Sequence, residues 1–449
     1  MILLINPPYF ERDELKDRFE RYREWIKKGN MYAVAFEPPI GIAELATFLR
    51  SKGKNVEIMD IPGDFISDAE IEKRLINLKP EIVGITAMSS TFAESTKIAG
   101  IVKKILPGTA VVLGGVHPTI MPDEALSCPD VDIVVRGEGE YALLQIEEVL
   151  SKGGGFGSLR GIDGVCFSYE GKRIISEKSH LIDNLDDIPF PDYSLFPVEN
   201  YIKYNEELRS IRGISMIAGR GCPYNCSFCA VRNTMGTIDR RRSPKKVVDK
   251  MEELVSRFGV EGIWFKDSTF NLDSGWLREF CSEIKRRLPE MKWQINTRVD
   301  LLKEDELMMM KDAGLVQIDV GIESGVPETL RLMGKRYSIQ EVIQNISMVR
   351  KYVRVAGFFM IGLPGEGEKE IDMTFSLAKR LDLDKYSFSI FLPLPGTKLF
   401  DDLANEQKIN KEDFRYGTGH FTRTNVSFCD MSAEDLNKKY SVINDFFAR

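Results

Sequence analysis

Three cysteines carry the sharpest chemical signal in this sequence. Cys222, Cys226 and Cys229 lie within GRGCPYNCSFCA, residues 219–230, at C-x3-C-x2-C spacing. Thiolates bind zinc or iron–sulfur clusters. A closed structural zinc site takes four protein ligands, commonly as paired C-x2-C units. Here three thiols cluster, and none of the three histidines, His117, His180 and His420, is adjacent in sequence. A cubane iron–sulfur cluster held by three cysteines leaves one iron without a protein ligand. That iron is open to a small molecule binding through an amine and a carboxylate. Cys128, Cys166, Cys281 and Cys429 are scattered, as buried thiols are. A disulfide framework is not expected in a long cytosolic chain.

The elements that must position these thiols read as two α/β segments. Residues 1–150 alternate short apolar runs (1–6, 55–61, 81–87, 109–115 and 131–137) with amphipathic stretches. That pattern predicts a doubly wound, Rossmann-like parallel sheet, with ligands over the carboxyl ends of its strands. Those ends carry Pro7-Pro8, Thr86 to Ser90, Gly114-Gly115-Val116-His117 and Arg136-Gly137-Glu138-Gly139-Glu140, a rim suited to a large flat ligand. Residues 151–210 read as a linker, glycine-rich at first, with a hairpin around Glu170-Gly171. From 211 to 399 six strand candidates (214–219, 262–267, 292–297, 316–322, 354–362 and 385–392) alternate with helices, which predicts a partial (β/α)6 barrel of TIM type. The cysteine loop directly follows its first strand. Residues 400–449 read as a short helical carboxyl-terminal segment.

The totals exclude several function classes. A formal net charge of −7 argues against a nucleic-acid-binding surface. No window reaches the roughly 18 consecutive apolar residues of a membrane span, and MILLINPPYF lacks the layout of a signal peptide. The expected location is cytoplasmic.

With its aromatic Phe228 before the last cysteine, GRGCPYNCSFC at the head of a βα array resembles the radical S-adenosylmethionine superfamily. The resemblance implies a 4Fe-4S cluster on Cys222, Cys226 and Cys229, with S-adenosylmethionine chelating the open iron. It implies reductive cleavage to a 5′-deoxyadenosyl radical, fed by an external flavodoxin- or ferredoxin-type electron donor. It further assigns Glu323, in GIESG, to the amino or ribose end of S-adenosylmethionine. Asn296 and Arg298 would contact ribose or carboxylate, and Gly362 and Pro364 would let backbone approach the adenine. Asp267 and Ser268 end the second barrel strand, where the family contacts S-adenosylmethionine and more typically shows Gly-Gly-Glu.

A doubly wound domain ahead of such a barrel resembles the cobalamin-binding subgroup, as do MDIP, LGGVHPT and RGEGE. This implies a corrinoid over the strand ends, near Pro8, Thr86, Gly115, His117 and Glu138. His117 is not expected to ligate cobalt. It either hydrogen-bonds a corrin side chain or packs at a helix start. A methylthiotransferase would need three more cysteines in its amino-terminal domain, and the chain offers only Cys128 and Cys166, widely separated. The expected activity is modification of an unactivated carbon in a small or lipid-like substrate, foremost by methyl transfer. Cyclisation, ring rearrangement or oxidation uses the same parts, and a non-catalytic corrinoid or redox sensor is a third reading. Tyr9, Tyr224 and Tyr386 are candidate participants. The run Arg240-Arg241-Arg242 reads foremost as a solvated turn.

Overall fold

The structure, a computed structural model, describes residues 1–8, 37–177, 181–409 and 421–447. Tyr9, His180, His420 and Phe36 lie outside the described residues, as does most of the loop at 415–425. The chain divides into two compact units, the first running to Tyr201 and taking in Asn233–Gly236, the second holding Ile202–Arg232 and the residues from Thr237 on.

The first unit holds a seven-stranded sheet in the order β2-β1-β3-β4-β5-β6-β7. Its strands are β1 Ile2–Asn6, β2 Val56–Asp60, β3 Ile82–Thr86, β4 Ala110–Gly114, β5 Ile133–Val135, β6 Val165–Tyr169 and β7 Lys172–Ile174. The first five pair in parallel, and the strand order reverses between β1 and β3. At such a reversal a crevice opens beyond the carboxyl ends, here at Asn6 and Thr86. The apolar runs are continuous because both sheet faces are covered: Leu4, Ile82 and Val112 pack on one side, Leu3, Val83 and Val111 on the other. The hairpin expected around Glu170-Gly171 forms, with both residues at positive φ. Rather than spanning a linker, its first strand pairs antiparallel with β5 and extends the sheet.

The second unit is a curled, all-parallel six-stranded sheet in the order β15-β14-β13-β12-β11-β8. Its strands are β8 Gly213–Met216, β11 Gly262–Phe265, β12 Lys292–Arg298, β13 Leu315–Glu323, β14 Arg354–Ile361 and β15 Lys385–Ile390. Helix Pro244–Phe258 shows why the intervening segments are helical. Proline opens it, Gly259 ends it in the left-handed region, and Val247, Val248, Met251 and Leu254 form its buried stripe. Between β8 and that helix, β9 Gly219–Arg220 and β10 Arg240–Arg241 form a short antiparallel pair. Helix Ala433–Phe447 packs on the edge strand β15, where Phe447 stacks on Tyr386 at 3.8 Å between ring centroids. Tyr386 also accepts a hydrogen bond from the Leu383 amide, so it is a packing residue. Among the described residues no helix is long and apolar enough to cross a membrane.

Candidate functional site: three thiols at the mouth of a half-barrel

The cysteine loop leaves β8, passes β9, and is clamped from two sides. Ser227 donates its hydroxyl to the Leu332 carbonyl at 2.6 Å and its amide to the Met333 carbonyl at 3.1 Å. The Leu399 amide in turn donates to the Ser227 carbonyl at 2.9 Å. The loop presses so close to Gly334 (φ 75°) that a Cβ there would lie 2.9 Å from the Asn225 carbonyl oxygen. Phe228 packs on a buried cluster of Met333, Leu363, Phe391, Leu399 and Phe400, which explains the aromatic residue before the last cysteine. Short-range sequence spacing fixes the thiols, and long-range contacts hold them at the strand ends.

Each thiol meets a different polar neighbour. Cys222 Sγ lies 3.8 Å from Thr269 Oγ1, just beyond β11. Cys229 Sγ is bonded by the Val231 amide, and burial pushes its thiol up to about 11. Cys226 Sγ accepts from Arg298 Nη1 at 3.5 Å. Burial raises Cys226 as well, opposed by the charges of Lys335 and Arg298. The thiols feel one another's charge. Three soft ligands with polar neighbours behind them therefore fit the cluster that the spacing implies.

Around them the strand ends bring Glu323, Arg298 and Lys335 into one neighbourhood. Glu323 ends β13 at φ 71°, a conformation costly for a residue with a side chain. Its carboxylate folds back over Gly321, where a Cβ would lie 2.5 Å from Glu323 Oε1. It then pairs with Lys335 at 2.9 Å, the two side chains being 11% and 4% exposed. Lys335 Nζ also sits 5.7 Å from the centre of the Phe228 ring. Sequence reading missed Lys335. It is one of two adjacent basic residues in MGKRYS, after the helix that follows β13, with no pattern to single it out.

The remaining barrel residues have mainly internal partners. Asn296 donates to the Phe265 and Asp267 carbonyls at 3.4 Å, tying β12 to the end of β11. Asp267 is buried, accepts the Ala218 amide at 3.1 Å and faces Arg241 at 3.9 Å, with burial pushing its carboxyl up to about 6. It thereby anchors the start of the cysteine loop, while Ser268 beside it is exposed. The arginine run is buried, not solvated. Pairing with β9 turns it inward, and Arg241 donates to the Thr269 carbonyl at 2.7 Å while lying over Phe270 and Trp276. At the end of β14 the close approach at Gly362 (φ 83°) is to Leu436. The Gly362 and Leu363 amides donate to Glu366 Oε2 at 2.9 and 3.0 Å. Pro364, half-buried, lies within that turn. Thr329 supports the other Glu366 oxygen, whose carboxyl burial raises to about 7.

In the first unit Thr86 and Gly115 meet. Gly115 (φ 100°) lies so close that a Cβ would be 2.8 Å from Thr86 Oγ1. Thr119 Oγ1 links the next loops, donating to the Gly115 carbonyl and accepting from the Gly137 amide. The rim of Thr86, Gly114, Gly115 and Gly137 is half-buried and built of short side chains, which fits a broad flat ligand. His117 is 0% exposed, its ring tilted against Phe92 at 4.2 Å between centroids, with Ser89 Oγ 3.2 Å from Nδ1 and Glu124 Oε2 3.4 Å from Nε2. Glu138 accepts from the Ile182 amide, and so holds the segment after the hairpin. Pro8 is buried at the end of the described amino-terminal stretch.

An open sheet with a flat rim and a half-barrel with three thiols at its mouth together define a corrinoid-binding, cluster-bearing class of enzyme. Comparison with known proteins agrees. Residues 216–378 match the Radical SAM superfamily and residues 32–147 the B12 binding domain. An uncharacterized methyltransferase of Pyrococcus horikoshii is 32% identical over 400 residues, covering 87% of this chain and 85% of that protein. The anaerobic magnesium-protoporphyrin IX monomethyl ester cyclase of Rubrivivax gelatinosus is 29% identical over 378 residues, covering 83% and 67%. The radical S-adenosylmethionine methyltransferase TsrM from Kitasatospora setae, solved with cobalamin and a 4Fe-4S cluster bound, superposes with a TM-score of 0.72 at 20% identity, covering 90% of this chain and 78% of that one. The chain belongs to the cobalamin-dependent radical S-adenosylmethionine enzymes, whose cofactors are a 4Fe-4S cluster, S-adenosylmethionine and cobalamin.

Proposed function

We propose that this enzyme transfers a methyl group to an unactivated carbon of a small or lipid-like substrate, drawing electrons from an external flavodoxin- or ferredoxin-type donor. The observation that carries this reading is the 32% identity, along 85% of its length, to an uncharacterized methyltransferase. When bound, the three cofactors supply one-electron chemistry at a carbon–hydrogen bond and a carrier for the methyl group. The chain's own share is orientation. Cys222, Cys226 and Cys229 would hold the cluster, and the Ser227 and Gly334 contacts fix their loop. The Glu323–Lys335 pair offers one anionic and one cationic group beside Cys226, complementary to an amino acid's ammonium and carboxylate. Burial of both groups removes competing water and strengthens such contacts. In the first unit the Thr86, Gly115 and Gly137 loops would present backbone to a flat ligand.

Likeness to a cyclase at 29% identity supports a second reading, radical cyclisation without methyl transfer using the same cofactors. Anaerobic reconstitution with candidate substrates and a low-potential reductant separates the two. Methyl transfer yields both 5′-deoxyadenosine and S-adenosylhomocysteine. Deoxyadenosine with a converted substrate and no homocysteine would replace the methyl-transfer reading with the second. A folded, fully loaded enzyme that makes neither product would favour the sensor reading instead.

A further inference from the structure

The Arg298 guanidinium is held on three sides. Its Nε and Nη2 donate to the two oxygens of Asp300 at 3.0 and 2.8 Å, a forked pair that fixes the guanidinium plane. One face lies on the Tyr224 ring, with Cζ 3.7 Å from the ring centre. The side chain is 8% exposed, so little water competes for it. Nη1 then points at Cys226 Sγ, 3.5 Å away. Of the three thiols this one alone receives a charged hydrogen bond among the described residues. Cys222 has the Thr269 hydroxyl at 3.8 Å and Cys229 the Val231 amide. Tyr224 and Asp300 come from different segments, one inside the cysteine loop and one beyond β12. Two independent elements thus converge to aim one N–H at one sulfur.

We propose that Arg298 is a charged outer donor to Cys226 that raises the reduction potential of the cluster, with Asp300 and Tyr224 as the residues that position it. The inference rests on the reading that the three cysteines hold the cluster. Reduction adds negative charge, which is shared with the thiolate sulfurs. A cationic N–H aimed at a sulfur in a poorly solvated site therefore stabilises the reduced state more than the oxidised one. The asymmetry places this effect at the Cys226 corner.

The test is an EPR-monitored redox titration of the full chain, anaerobically reconstituted, without S-adenosylmethionine. It compares wild type with Arg298→Met and Arg298→Gln at matched iron and sulfide content. The expected result is a midpoint shifted to more negative potential in both variants, further in Arg298→Met. If only one variant loads its cluster, that one decides. An unmoved or more positive midpoint overturns the proposal. So does an unmoved midpoint with weakened S-adenosylmethionine binding, which would put Arg298 on the cosubstrate. Loss of cluster uptake in both variants would also overturn it, making Arg298 purely structural. A wild-type chain that takes up no cluster fails the cysteine reading itself, and is thereby distinguished from a failure of this proposal alone.

Discussion

Glu323 Oε1 and Lys335 Nζ meet at 2.9 Å beneath the cysteine loop, and both are nearly excluded from solvent. An ion pair in such a place is held by mutual compensation, because either charge alone would be stranded in a poorly polarisable surround. Glu323→Gln should therefore destabilise the apo chain by about 3 kcal/mol. The double variant Glu323→Gln with Lys335→Met should recover part of that loss. A denaturant double-mutant cycle measures both, and additive losses would show the two residues to be energetically separate.

Gly334 should be irreplaceable for a different reason. In Gly334→Ala the new Cβ lies 2.9 Å from the Asn225 carbonyl, which belongs to backbone, at a φ of 75°. The left-handed conformation alone costs about 1–2 kcal/mol. Displacement of the cysteine loop should lower iron uptake on reconstitution as well. Full iron content with unchanged stability would contradict the clamp described for this loop.

Glu366 gives a pH prediction. Its folded-state value, about 7, lies above the ordinary 4.5 of an unfolded chain, because burial outweighs the Gly362, Leu363 and Thr329 donors. A carboxyl raised on folding binds its proton more tightly in the folded state. Its contribution is complete below pH 4.5 and is lost as pH rises through about 7. Relative to Glu366→Gln, wild type should thus lose roughly 3 kcal/mol between those limits. Stability of the two proteins measured from pH 4 to pH 8 checks this, and parallel curves would refute it.

His117 should prove structural. It is fully buried against Phe92, with Ser89 and Glu124 at its nitrogens. His117→Ala should cost about 2 kcal/mol by leaving a cavity, and the visible absorption of bound cobalamin should stay unchanged. A shifted corrinoid spectrum would make His117 a cofactor contact after all.

How much of this was legible in the sequence depends on the range of the interaction. Parallel strands buried on both faces give unbroken apolar runs, so the main strands of both sheets could be placed from pattern alone. C-x3-C-x2-C is likewise local and chemically specific. The hairpin at Glu170-Gly171 was readable, but its pairing with β5 was not, because Val165–Phe167 and Ile133–Val135 are neighbours only through the fold. The arginine run at 240–242 was misread because charge suggests solvent, whereas pairing with Gly219–Arg220 buries it. Lys335, Asp300 and Thr269 carried no pattern at all. Lys335 and Thr269 gain their roles from contacts distant in sequence, and Asp300 from its pairing with Arg298 two residues before it.

The central claim is that Cys222, Cys226 and Cys229 together hold a cluster completed by S-adenosylmethionine. Its most direct test is anaerobic reconstitution of wild type and of single alanine variants at all seven cysteines, with iron, sulfide and reductive S-adenosylmethionine cleavage measured on each. The account predicts that only the variants at 222, 226 and 229 lose cluster and 5′-deoxyadenosine formation, while folded variants at 128, 166, 281 and 429 keep both. A Cys226→Ala chain that keeps a full cluster and cleaves S-adenosylmethionine would contradict it.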